Sequence, residues 1–489
     1  MGERDITLDP DNWDALKTLG HRMLDDMLTH QQTIRSQPFS FPPKAAIQEI
    51  CVPLTVEGDG EERVYDVFRR HILPYTMRHT SPLFWGLVVG TGSPYGMLAE
   101  MLRAGANSVS EDFTVEAYVH QQVINWIKQL LGYPDAAGGV IVSGGSEANF
   151  TCLAVARNAR ADVDVKARGV QGLSRPMTLY CGDETHHCLE RSVELLGLGN
   201  TALRWIPTDD ECKIRIDELR RTIQEDRRRN RHPFCVIGCA GTVNSGAVDD
   251  LHALADLCAE ERLWFHVDGA FGAWLKLSKS HRHLVAGLER ADSVAVDLHK
   301  WMYMPYGIGC ALVRDRLAHY RTFVYGHEAT YLTSTFAQNR DRLTNPHNLA
   351  LPLSRCFNSL KAYMLLRAYG MRKYRQLIQQ NLDHMRYLSE LLAKDADMEL
   401  MAPVTTNIVC FRYHPSGFPE DAVTQLNKLI YDALSRINFL MISDTTIKGT
   451  YMLRACNVNH RSRKQDFEVL VKEVKRAGAM FRPLVKDRG

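Results

Sequence analysis

The stretch "ADSVAVDLHKWMYMPYG", residues 291–307, decides how the rest of the chain is read. Val294, Ala295 and Val296 form the apolar run of a buried strand. Trp301, Met302 and Met304 follow, and Lys300 stands between the two apolar groups. Burying a lysine without a partner costs on the order of several kcal/mol. Such an amine is either a surface residue that snorkels to water or a group kept for its chemistry. Desolvation is expected to make it lose its proton more easily, and a neutral amine is a nucleophile toward an aldehyde.

Working outward from residue 291, short apolar strands alternate with helices. "GGVIVSG" (138–144), "MTLYCG" (177–182), "FCVIGCAG" (234–241), "LWFHVDG" (263–269) and "DSVAVD" (292–297) read as strands. Helical stretches such as "SEANFTCLAVARNARA" and "ETHHCLERSVELLG" lie between them. Near-continuous apolar strands alternating with helices predict an α/β domain, its mostly parallel central sheet covered by helices on both faces. Residues 12–30 carry an amphipathic stripe of Trp13, Leu16, Leu24, Met27 and Leu28, followed by the proline-rich arm "SQPFSFPP". A lone helix and an extended arm cannot bury that stripe by themselves, so it is expected to pack on something else, such as another subunit. Residues 356–395 read as mainly helical, and the last hundred or so mix strands and helices as a small α+β domain does. The expected division is 1–85 for the arm, 86–375 for the large domain and 376–489 for the small one.

In open α/β sheets the chemistry sits beyond the carboxyl ends of the strands, and four such ends carry polar groups. "VSGGSEAN" (142–149) puts Gly145 and Ser146 at a helix start, where backbone N–H groups and a hydroxyl suit a phosphate. It is neither a Walker A loop nor GxGxxG, and alone it is a weak signal, since Gly-Gly-Ser is more often simply a tight turn. "GDETHHCLE" (182–190) places His186 where an imidazole can stack on a flat ring; the plainer reading is a capping or surface histidine. "HVDGAFG" (266–272) ends a strand on Asp268, whose carboxylate needs a cationic partner such as a protonated ring nitrogen, or else a structural ion pair. Lys300 is the fourth. Taken in order on one sheet, a phosphate cradle, a stacking imidazole, an acid for a pyridine nitrogen and an amine for an aldehyde describe a pyridoxal 5'-phosphate site.

The bulk numbers fit an ordinary enzyme. The chain has 489 residues, 45% hydrophobic and 24% charged, with a formal charge of +2. That length suits two or three domains, and that charge gives no reason to expect nucleic acid as a partner. Among its 12 cysteines, Cys152, Cys235, Cys239, Cys310 and Cys410 lie in apolar segments without regular spacing, as in a reducing compartment. "THHC" (185–188) lacks a second ligand pair, so no metal is expected. No apolar run reaches about 18 residues and the N-terminus has no signal-peptide core, so no membrane association is expected and the cytoplasm is the default.

"SGGSEAN", "DETHHCLERS", "HVDGAFGA" and "DLHKW", in this order and spacing, resemble the group II decarboxylases that depend on pyridoxal phosphate, most closely the aromatic-L-amino-acid decarboxylase branch. The resemblance extends to "TSPLFWG" (80–86), "LPLSRCFNSLKAY" (351–363) and "YMLRACNVNHR" (451–461). It implies fold type I, the aspartate aminotransferase-like architecture, and a homodimer whose active site lies at the subunit interface. It implies that Lys300 links to the cofactor as a Schiff base, that Asp268 pairs with the ring nitrogen and that His186 stacks on the ring. Gly145 and Ser146 would hold the phosphate, His299 would lie beside the Schiff base, and Thr242 and Ala270 would line the ring. Phe84 and Trp85 would line the side-chain pocket, and Arg454 matches an arginine near the family's active site.

The implied reaction is decarboxylation of an L-amino acid, aromatic or bulky and apolar, to its amine and CO2. One departure bears on it. The family's usual proton donor is a tyrosine on a loop before "LPLSRCF", but that stretch reads "RDRLTNPHNLA" (340–350), with Pro346 or a neighbour at the tyrosine's place. His347 is the adjacent candidate, able to titrate near neutral pH, and Tyr331 lies well upstream. Without a donor the carbanion would persist and oxygen could attack it, which makes a decarboxylation-coupled aldehyde synthase the alternative. A non-catalytic homologue is disfavoured by the intact Lys300 and Asp268, and an aminotransferase by the order of the motifs.

Overall fold

The computed structural model describes residues 6–108, 114–324 and 344–486. Among the described residues, twelve strands form two sheets. In chain order they are β1 (Phe84–Trp85), β2 (Gly138–Val142), β3 (Met177–Gly182), β4 (Leu203–Ile206), β5 (His232–Cys239), β6 (Trp264–Asp268), β7 (Ser293–Asp297), β8 (Gly309–Val313), β9 (Met398–Leu400), β10 (Ile408–Tyr413), β11 (Met441–Ile447) and β12 (Thr450–Cys456). The larger sheet has seven strands in the order β2-β8-β7-β6-β5-β3-β4. Every pairing from β7 through β6, β5 and β3 to β4 is parallel. Only β8 runs against both of its neighbours, β2 and β7. The chain makes that reversal within the short turn after Lys300, since β7 ends at Asp297 and β8 begins at Gly309.

That turn explains the apolar residues around Lys300. Trp301, Met302 and Met304 have no exposed surface. The Trp301 indole N–H and the Tyr303 hydroxyl both donate to Asn381 Oδ1, at 3.0 and 2.6 Å. The Trp274 indole N–H donates to the Asp297 carbonyl at 2.8 Å. Tyr303 takes the left-handed conformation, φ 51°, that closes the turn back toward β8. The apolar side chains thus point into the core, while Lys300 faces the carboxyl ends of the strands.

The second sheet has five strands in the order β1-β11-β12-β10-β9. Phe84–Trp85 therefore joins the C-terminal sheet, pairing in parallel with Met441 and Ile442. Its core gathers Trp85, Phe411, Leu426, Ile430, Phe467 and Leu470. Between the sheets runs the helix Ser359–Ala393, broken at Gly370, where φ is 65°. The expected boundary at residue 375 falls inside this helix, just past that break. At the other end of the chain, the helix Trp13–Thr33 is capped by Asn12 Oδ1, which accepts from the Asp14 and Ala15 N–H groups. It buries only Leu19, and Trp13, Leu16 and Leu28 of the predicted stripe stay exposed on this single chain.

Trp85 is fully buried and stacked on Phe467 at 4.8 Å between ring centres, which ties the strand β1 to the C-terminal helix. Replacing it with alanine is expected to destabilise the protein by about 3–5 kcal/mol, the usual cost of a vacated tryptophan site. Chemical denaturation of Trp85→Ala checks this.

Candidate active site

The carboxyl ends of β2, β5, β6 and β7 open into one cavity of about 370 Å³. Val88, Ser143, Gly144, Gly145, Ser146, Asn149, His186, Val243, Asp268, Ala270, His299 and Lys300 are among its lining residues. Of the residues singled out from the sequence, Lys300, His186, Asp268, His299, Gly145, Ser146 and Ala270 are brought together here.

Each has a local reason for its position. The helix Gly145–Arg160 begins directly after β2, with Gly144 at its cap and no side chain capping its first turn. The N–H groups of that turn are the donors a phosphate needs. Glycine is required because of what lies behind. A β-carbon on Gly145 would come 2.8 Å from Asp297 Oδ2, and one on Gly144 would come 2.9 Å from His299 Cε1. Asp268, the last residue of β6, accepts from the Ala270 N–H through Oδ1 and from Asn149 Nδ2 through Oδ2, both at 3.1 Å. His186 Nδ1 accepts the Cys188 N–H at 3.1 Å, which holds the ring at the cavity mouth. Desolvation, opposed mainly by Asp268, lowers its pKa. His299 accepts the Ile308 N–H through Nδ1 at 3.4 Å and stacks on Tyr306 at 4.6 Å. Burial lowers its pKa as well, although Asp297 Oδ2 lies 3.7 Å from Nε2.

Lys300 corrects one expectation. Burial does pull its pKa down, but Asp297, whose Oδ2 lies 3.1 Å from Nζ, and then Asp268 outweigh it. The net shift is upward, so the amine is held as ammonium and is not spontaneously neutral.

Other predicted residues lie outside the lining. Thr242 is buried one position from Val243, with its hydroxyl 2.9 Å from Ser245 Oγ and accepting the Ala247 N–H. Trp85 belongs to the small-sheet core, Phe84 is buried on the other face of β1 beside Phe39, and Val88 occupies the cavity wall downstream of them. Arg454, buried on β12, sits one layer back: it donates to the carbonyls of Asn244 at 3.0 Å and Leu87 at 3.3 Å, neighbours of Val243 and Val88. His347 is buried beside His120 and Arg355 and does not line the cavity. Tyr331 lies outside the described residues. Sequence reasoning missed Asp297 as the partner of Lys300, three residues on. It also left Asn149 without a role, although a helical spacing of four from Gly145 puts both on the face turned to the sheet.

The donor set fits pyridoxal phosphate: an amine, an acid fixed by two N–H donors, an imidazole at the mouth and an uncapped helix start share one cavity. Among the described residues, no group of three or more His, Cys, Asp or Glu side chains is placed to hold a metal ion.

Comparison with known proteins agrees. Residues 43–414 match the pyridoxal-dependent decarboxylase conserved domain. An aromatic-L-amino-acid decarboxylase from Bacillus atrophaeus is 31% identical over 94% of this chain and 95% of its own. A phenylacetaldehyde synthase from Arabidopsis thaliana is 27% identical, covering 91% of this chain and 92% of its own. Among solved structures, Oryza sativa TDC with PLP and tryptamine superposes with a TM-score of 0.88 at 23% identity, over 97% of this chain and 100% of that one. The chain belongs to the pyridoxal-dependent decarboxylase family. It is a fold type I enzyme, a carboxy-lyase that uses pyridoxal 5'-phosphate.

An amine attacks an aldehyde only when neutral, so the acids that raise the pKa of Lys300 slow that attack at neutral pH. In Asp297→Asn the pKa falls. Reaction with free pyridoxal, which has no phosphate to repel, should then be several-fold faster at pH 7, with the midpoint of its pH profile moved to lower pH. An unchanged profile, read from the absorbance of the product, would show that Asp297 does not hold the proton.

Proposed function

We propose that this enzyme decarboxylates an aromatic or other bulky apolar L-amino acid to its amine and CO2, as a homodimer in the cytoplasm. One observation carries the reading: Asp268 ends β6, Lys300 follows the end of the adjacent β7, and both face the same cavity as the helix start at Gly145. Bound pyridoxal phosphate supplies an aldehyde for the substrate amine and a ring that accepts electrons when the carboxylate leaves. Everything else is work for this chain's residues. Lys300 would anchor the cofactor, and Gly145, Ser146 and the first helical turn would hold its phosphate. Asp268 would pair with the ring nitrogen and favour its protonated form, which would make the ring a better electron acceptor. His186 and Ala270 would line the ring, and His299 would stand beside Lys300.

The substrate class is supported by the wall of the cavity. Val88, Val243 and Phe271 are apolar, and Lys300 is the one lysine or arginine among the described lining residues. An acidic side chain would have no partner there. The relatives include an aromatic-L-amino-acid decarboxylase and a tyrosine decarboxylase. Phe84, Trp85, Thr242 and Arg454 act from behind the wall: Arg454 clamps the backbone beside Val88 and Val243 and so sets the width of the pocket. In dividing the chain we assign 1–85 to the arm, 86–375 to the large domain and 376–489 to the small one.

The homodimer is supported by exposed apolar side chains along the N-terminal arm. Trp13, Phe41, Ile47, Val52, Leu54 and Val56 are all more than a third exposed on the single chain, a run that invites a second copy as cover. Cytoplasmic location is supported by 12 free cysteines. Among the described residues no helix is long and apolar enough to cross a membrane.

A second reading has its own support. His347, the donor proposed in place of the loop tyrosine, does not line the cavity of its own chain. If no group delivers a proton to the former α-carbon, molecular oxygen accepts two electrons from it and becomes hydrogen peroxide, and water supplies the aldehyde oxygen as ammonia leaves. A panel of amino acids assayed together for CO2, amine, aldehyde and peroxide decides between the two. Tyrosine, tryptophan or phenylalanine should give CO2 and amine in equal amounts without peroxide. Aldehyde and peroxide matching CO2 would establish the second reading, and no CO2 from any substrate would sink both. If His347 is the donor, amine formation in His347→Ala falls by about 10²-fold or more while KM stays close to wild type. Unchanged amine output removes His347 as donor.

A further inference from the structure

Behind the carboxylate of Asp268 runs a line of four polar side chains, Asn149, His266, Ser293 and Trp264, each, like Asp268, nearly or fully buried. The strand period places Trp264, His266 and Asp268 on one face of β6, and register sets Ser293 of β7 beside His266. Asn149 descends from the helix Gly145–Arg160 into the gap.

The hydrogen bonds in this line run in a single direction. A carboxylate only accepts, so Asn149 must present its NH2 to Asp268 Oδ2, at 3.1 Å. Its carbonyl oxygen then faces His266 Nε2 at 2.7 Å, so Nε2 carries the proton. Burial pushes the His266 pKa down to about 4, which keeps the ring neutral and leaves Nδ1 an acceptor. Nδ1 lies 2.9 Å from Ser293 Oγ, whose hydrogen therefore points at it. The Ser293 oxygen accepts the Trp264 indole N–H at 2.8 Å. An indole nitrogen can only donate, so the line starts at Trp264 and ends at Asp268. Reversing the Asn149 amide would set its oxygen against the Asp268 carboxylate, and moving the His266 proton to Nδ1 would set a bare Nε2 against the Asn149 oxygen, acceptor against acceptor in both cases.

We propose that Asn149 and His266, backed by Ser293 and Trp264, are positioning residues that aim the carboxylate of Asp268 at the ring nitrogen of pyridoxal phosphate. The line adds aligned dipoles behind Asp268 and no charge. With Asn149 on Oδ2 and the Ala270 N–H on Oδ1, rotation of the carboxylate is blocked, and the lone pairs left over face the cavity. The inference rests on the proposed role of Asp268, so Asp268→Asn is the reference variant.

The test uses the holoenzyme and three readouts: the rate at which pyridoxal phosphate is released, the absorbance spectrum of the bound cofactor, and kcat against KM. His266→Leu removes the ring nitrogens at similar volume. Release should be at least about tenfold faster, the worth of one hydrogen bond to a charged group, with a changed spectrum, reduced kcat and nearly unchanged KM. His266→Gln keeps a donor toward Asn149 and an acceptor toward Ser293, and should restore release and spectrum to within a few-fold of wild type. Where His266→Leu does not fold, Asn149→Ala, at the cavity edge, carries the same comparison. If Asp268→Asn alters release and spectrum while His266→Leu and Asn149→Ala match wild type in both, the positioning role is overturned and Asp268 keeps its own. If Asp268→Asn itself changes neither, the reading of Asp268 fails first.

Discussion

The amine of Lys300 lies 3.1 Å from Asp297 and feels Asp268 beyond it, at the ends of two neighbouring strands. Two acids in this setting are tolerable only with a cation between them, and the cation is tolerable only because the acids are there. The interaction constrains much of the surrounding fold. Asp297 presses against the helix start so closely that Gly145 and Gly309 must lack side chains, and His299 excludes one at Gly144. The turn after Lys300 must double back at once, which makes β8 the one antiparallel strand of the larger sheet.

The same interaction carries a chemical consequence. Burial alone would release the lysine's proton, and the sequence suggests as much. Neighbouring acids reverse the sign and hold the ammonium form. Attack on an aldehyde then requires that the Lys300 proton be given up; a cationic ring nitrogen, were it to pair with Asp268, would compensate that acid in place of the lysine.

Asp268 shows how an acid is kept in place without further charge. Its fixed supports are an amide, a neutral imidazole, a hydroxyl and an indole, in an order that only one set of proton positions satisfies. Such a line is costly if any member is missing, because the low-dielectric interior offers no water to replace it. Arg454 plays a comparable part on the opposite wall, holding the backbone of Leu87 and Asn244 from the small sheet. Both sheets therefore contribute to the cavity, one with the reacting groups and the other with a wall.

The alternation of apolar strands and helices and the polar residues at strand ends made the α/β class and the core of the site legible without coordinates. A glycine pair at a helix start, an acid closing an apolar strand and a lysine after another are local signals, and each side chain ends up where its own element points it. What depends on the register between strands was not legible. Phe84 and Trp85 are buried on the small sheet, Trp85 in its core, because strand β1 crosses to pair with Met441 and Ile442, residues more than three hundred positions away. His347 is buried beside His120, and Thr242 turns to Ser245, because neighbours remote or merely different in direction decide where those side chains go. Sequence by itself determined the chemistry available, since residue types at strand ends fix which groups reach the cavity. Only the tertiary structure decided the electrostatics: the pKa of Lys300 depends on the distances to Asp297 and Asp268, and the distance to Asp268 is set by the pairing of β6 with β7.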